Sequence, residues 1–65
     1  MSIAFDLNEI VNGQDRQTNF TTMLLKLIFK ADSNNRAKLS KGFPNAVKTV
    51  EKYQQTGNII DLESD

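Results

Sequence analysis

The chain contains neither cysteine nor histidine, and at 65 residues that double absence decides what can hold it together. A domain this short gains only roughly 3–5 kcal/mol of net stability from a single core. The usual reinforcements are disulfides, a structural metal or a second subunit. Without cysteine no disulfide forms, and without cysteine or histidine none of the usual thiolate or imidazole zinc sites can be assembled. Association is the reinforcement that remains, and no cofactor or metal is expected. The same absences remove thiol nucleophiles, Ser-His-Asp triads and imidazole acid–base chemistry. The only acids in the basic middle of the chain, Asp32 and Glu51, form no catalytic constellation, so the chain is expected not to be an enzyme.

Apolar periodicity predicts an all-α fold: a small bundle of three to four short helices with extended acidic termini. The chain reads as one domain, with an N-terminal acidic segment over 1–17, a helical core over 18–56 and an acidic tail over 57–65. In residues 3–12, Leu7, Ile10 and Val11 at helical spacing, with Asp6 and Glu9 three apart and Gly13 behind them, predict a short helix. The alternation Ile3, Phe5, Leu7 offers a strand as the rival reading, and periodicity over so few residues does not separate them. The strongest signal follows. Phe20, Met23, Leu24, Leu27, Ile28 and Ala31 trace the i, i+3, i+4, i+7, i+8 stripe of an amphipathic helix, with Thr18 or Asn19 as its N-cap.

Leu25 and Phe29 lie off that stripe, so this helix is apolar on two sides and only Thr22, Lys26 and Lys30 form a polar ridge. A helix apolar over so wide an arc is expected at the centre of a bundle or at a subunit interface. Leu25 and Phe29 are therefore the candidate oligomer interface. Asp32-Ser33-Asn34-Asn35 is rich in capping residues, and Arg36 to Lys41 followed by Gly42 predicts a further short helix with a glycine at C′. The spacing leaves open whether the Phe20 helix breaks or only kinks at Asp32. Pro44 suits the first position of a last helix running to about Gln55, with Ala46, Val47, Val50 and Tyr53 as a narrow inner stripe and Thr56-Gly57 as its end. Ile59, Ile60 and Leu62 give the tail enough apolar surface to dock as an extended arm.

Eight basic and eight acidic residues cancel overall but are segregated along the chain. Residues 1–15 carry Asp6, Glu9 and Asp15 and no base; residues 53–65 carry Asp61, Glu63 and Asp65 and no base. Between them eight bases face only Asp32 and Glu51, a net of +6. Either this middle presents a positive surface to an anionic partner, or the acidic ends fold back onto it. An isoelectric point near 6.1 accords better with the second, since dedicated nucleic-acid modules usually run above about 9. The candidate contacts to a protein partner or to nucleic acid are Lys26, Lys30, Arg36, Lys38, Lys41, Asn45, Lys48 and Lys52.

Three local patterns bear on ligands. The two helices meeting at Gly42-Phe43-Pro44 invite comparison with a helix-turn-helix, whose outward residues would be Asn45, Lys48, Thr49, Lys52 and Gln55. Ser33-Asn34-Asn35-Arg36 could hold a phosphate or nucleotide at a helix start, although capping explains it as well. Phe43 and Tyr53 read first as packing residues. No apolar run is long enough to span a bilayer. The first seven residues lack a basic region ahead of an apolar one, so no secretory signal is expected, and a cytoplasmic location follows.

The stretch Leu27-Ile28-Phe29-Lys30-Ala31-Asp32-Ser33-Asn34-Asn35-Arg36-Ala37-Lys38-Leu39, with Lys41-Gly42-Phe43-Pro44-Asn45-Ala46-Val47 after it, resembles small uncharacterised accessory proteins carried by bacteriophages and prophages. The resemblance covers roughly residues 24–53. It implies a helical factor that binds a host or phage macromolecule by occupancy in the host-cell cytoplasm, some such proteins being inhibitors of host processes or defences. It transfers no catalytic residue. Many inhibitors of nucleic-acid enzymes are acidic mimics of DNA, and the basic centre here departs from that pattern. The sequence thus predicts a protein-binding helical module, a homo-oligomer through Leu25 and Phe29, with nucleic-acid or nucleotide binding by the basic helices as the alternative.

Overall fold

The computed structural model describes residues 3–64 and contains four α-helices in that span: α1 (Ile3–Val11), α2 (Phe20–Lys30), α3 (Ser33–Gly42) and α4 (Pro44–Thr56). Met1 and Ser2 of the N-terminal segment, and Asp65 of the acidic tail, lie outside the described residues. Among the described residues there is no strand, and the fold is an all-α bundle.

The N-terminal segment is helical because its apolar residues share a helical face, not a strand face. Ile3 and Leu7 are fully buried with Ile10 and Val11 packed beside them, while Phe5, which alternation would place with Ile3 and Leu7, is exposed. The segment expected as an extended acidic terminus is instead a quarter of the core. Asp6 lies in the first turn of this helix and points inward with 1% exposure. Its Oδ1 accepts a hydrogen bond from Asn19 Nδ2 at 3.3 Å, and Asn19 Oδ1 accepts from the Thr22 N–H at 2.9 Å. Asn19 is the N-cap of α2, so the buried Asp6 side chain sits behind the cap of that helix and holds the capping amide.

Between α1 and α2 the chain turns at Gly13 and Asp15. Gly13 N–H donates to the Asn8 carbonyl at 3.1 Å, and a Cβ there would stand 2.9 Å from the Glu9 carbonyl oxygen, so glycine is required by closeness and not by a left-handed backbone. The left-handed residue is Asp15, at φ 56°; aspartate tolerates that region better than most side chains.

Helix α2 breaks at Asp32. Ala31 and Asp32 are both extended, Ala31 N–H closes onto the Leu27 and Ile28 carbonyls, and Asp32 caps α3 by accepting from the Asn35 N–H at 2.8 Å. Phe43 alone separates α3 from α4. Gly42 is the last helical residue of α3 and not its C′ glycine. The stop comes from Pro44, which moves the residue before it out of the helical region; Phe43 has φ −134° and ψ 61°. At the far end of α4, Gly57 at φ 77° is a left-handed cap whose N–H donates to the Tyr53 carbonyl at 2.7 Å.

Helix α4 packs against all three other helices, whereas α2 packs against α1 and α4. The centre is therefore α4, not the more apolar α2. The reason is size: Ala46, Val47, Thr49 and Val50 are small enough to let three neighbours approach closely, and all four are buried. Ile3, Leu7, Leu24, Leu25 and Ile28 fill the space against them. Helix α3 buries no residue fully and joins the core through half-buried Leu39. The tail returns along α4. Ile59 packs on the core, and the Glu63 carbonyl accepts from Asn45 Nδ2 at 3.0 Å, at the opposite end of α4 from Gly57. Six extended residues reach about 20 Å, the length of a 13-residue helix at about 1.5 Å per residue.

Candidate interaction surface

Helix α2 is apolar around most of its circumference, and the bundle covers only part of it. Leu24, Leu25 and Ile28 are buried, and Phe29 stands half-buried with its ring centroid 6.5 Å from that of Tyr53 in an edge-on contact. Of the two residues expected as an oligomer interface, Leu25 lies in the chain's own core with no exposed surface, and Phe29 packs against that core while staying partly exposed. The longer stripe is divided, with Leu24 and Ile28 turned inward and its other large residues left open. Phe20, Met23 and Leu27 are 68%, 51% and 52% exposed. They stand three and four residues apart, one above the other along the helix.

This open strip borders a trough between α2 and α3. Leu27, Lys30, Ala31, Asn35, Lys38 and Leu39 line a groove of about 430 Å³ whose floor is apolar and whose two walls each carry a lysine. Phe43, four residues beyond Leu39, extends the apolar wall toward Phe20, with the two ring centroids 5.8 Å apart. Lys30 and Lys38 are exposed, and among the described residues no carboxylate lies within ion-pairing distance of either.

The other candidate contacts divide into free and engaged. Lys41, Lys48 and Lys52 are exposed and, among the described residues, form no ion pair. Lys26 is held by Asp15 at 2.8 Å. Arg36 is turned inward: its Nε donates to the Ile28 carbonyl at 3.1 Å, its Nη1 donates to Gln54 Oε1 at 2.7 Å, and Glu51 Oε2 stands 3.9 Å away. It ties α3 to the end of α2 and to α4, so it is a clamp within the fold and not a surface contact. Asn45, expected to face outward, is half-buried and holds the tail.

These assignments dismantle two local patterns. The reading face of a helix-turn-helix loses Thr49, which is fully buried with its hydroxyl donating to the Asn45 carbonyl at 2.8 Å, as well as Asn45 itself. The Ser33–Arg36 phosphate pocket loses its guanidinium to the clamp and the Asn35 N–H to Asp32. Among the described residues no three acidic side chains gather where they could hold a metal ion, and no helix is long and apolar enough to cross a membrane.

Phe20, Met23 and Leu27 belong to the longer of the two apolar stripes, of which Leu24 and Ile28 are buried and these three are not. Lys26 and Lys30 do not separate the stripes, since they lie beside both. Which side turns inward is decided by α1 and α4, whose contribution no periodicity within α2 records. No family model matches the chain, and no curated protein or solved structure is significantly similar to it.

Proposed function

We propose that the chain is a small helical interaction protein that binds a macromolecular partner and acts by occupancy, as an accessory factor of bacteriophage type in the host-cell cytoplasm. Inhibition of a host process would be the consequence of that occupancy. The observation that carries the reading is the placement of Phe20, Met23 and Leu27 together on the open side of α2, close to Lys30 and Lys38, which form no ion pair among the described residues. Large apolar side chains scattered singly on a surface need no explanation, but a contiguous strip rimmed by polar residues marks an interaction site. A central apolar cluster with a charged rim is also how protein interfaces are built.

The test is capture from bacterial lysate by the tagged chain, run in parallel with Leu27→Asp and with the double variant K48E/K52E. The reading predicts that a protein retained by the parent chain is lost with Leu27→Asp and kept with K48E/K52E. Capture unaffected by Leu27→Asp contradicts it.

Nucleic-acid binding is the second reading, supported by Lys48 and Lys52, which are exposed one helical turn apart on α4. It predicts nuclease-sensitive capture, abolished by K48E/K52E, with an affinity for duplex DNA that falls steeply as salt rises.

A further inference from the structure

We propose that the partner engages the α2–α3 trough with an amphipathic α-helix carrying acidic side chains; this partner chemistry rests on the interaction reading above. The trough has the shape for it. Leu27 belongs both to the exposed strip of α2 and to the groove against α3, where Leu39 stands opposite, and Met23 and Phe20 continue the exposed strip from it along α2. From Phe20 to Leu27 the strip runs about 10 Å, at about 1.5 Å per residue. That matches two turns of a guest helix, which inserts anchors at i, i+3 or i+4, and i+7.

Charge selects the guest. Lys26 and Arg36, on the same two helices, have Asp15 and Glu51 within 4 Å, whereas Lys30 and Lys38, which both line the groove, have no carboxylate within ion-pairing distance among the described residues. A guest with Asp or Glu beside its apolar anchors supplies the missing charges, and one with lysines there is repelled. A second copy of this chain fits less well. A second copy would bring to the contact a groove lined by Lys30 and Lys38 and by no carboxylate. An anionic membrane would also pair apolar residues with lysines, but Ala31 and Leu39 are recessed between two helices where a flat surface does not reach.

The experiment uses fluorescently labelled helical peptides with Leu, Ile or Phe at i, i+3 and i+7, flanked by Glu in one set and by Lys in the other, read by anisotropy. The acidic set should bind the full chain at least about tenfold more tightly than the basic set, with the preference reduced by salt. Lys30→Glu with Lys38→Glu should weaken acidic binding about tenfold or more, and Leu27→Asp should abolish it. The same charge change far from the trough, K48E/K52E, should leave binding within about twofold. All these residues are exposed, and circular dichroism of each variant verifies the fold. Four results overturn the proposal: no binding by any acidic peptide, equal binding by both sets, equal loss with K48E/K52E, or uptake by phosphatidylglycerol vesicles in place of peptide. A Leu27-dependent lysate partner with no acidic-peptide binding overturns the guest chemistry alone. Loss of both overturns the interaction reading as well.

Discussion

Gly42 and Gly57 are both glycines at a helix end, yet only one needs to be glycine. Gly57 has φ 77°, where an L side chain is strained; Gly42 is helical, and nothing lies within 4 Å of the position a Cβ would take. Gly57→Ala should therefore cost about 1 kcal/mol, while Gly42→Ala should gain about 0.5–1 kcal/mol, as alanine is the better helix former. Thermal melts of the two variants should move in opposite directions. The cap at Gly57 was readable from its place behind the apolar stripe. The one at Gly42 was misread because the effect of Pro44 on Phe43 had already ended the helix. The same scale separates two leucines of α2. Leu25→Ala should lose about 2–5 kcal/mol through the cavity it leaves, and Leu27→Ala should stay within about 0.5 kcal/mol, as surface positions do. Equal losses would mean that the covered side of α2 has been misplaced.

Among the elements, α1, α2 and α4 are joined by a shared core, and α3 is suspended from it. Helix α3 has no fully buried residue, packs chiefly on α4 and is fastened by Leu39 and by the Arg36 clamp. Local stability follows buried contacts, so amide exchange in α3 should be markedly faster than in α4. Arg36→Ala should widen that difference and lower overall stability by about 1–3 kcal/mol, because the Ile28 carbonyl loses its charged donor. Comparable protection of α3 and α4 in the variant would remove the clamp from the account. The helices themselves were readable from capping residues: Asn19 and Asp32 accept the N–H groups that their positions promised. The role of Arg36 was not, since its partners come from α2 and α4, 8 and 18 residues away.

Over the whole molecule, the charge segregation seen along the chain is only partly cancelled in space. Asp15 returns to Lys26, and the tail returns to α4, where the Glu63 main-chain carbonyl accepts from Asn45. Lys30, Lys38, Lys41, Lys48 and Lys52 remain exposed, and two of them flank the apolar trough. The sequence revealed that α2 carried more apolar surface than a small bundle could cover. It could not reveal which side stays open, because that depends on the three-way packing of α4.

Hydroxyl-radical footprinting of the dilute, purified chain reads which side of α2 is open. Phe20, Met23 and Leu27 should be strongly modified and Leu24, Leu25 and Ile28 protected, with new protection of the first three when a partner or an acidic helix is added. Modification of Leu25 with protection of Met23 and Leu27 in the free chain would contradict this placement.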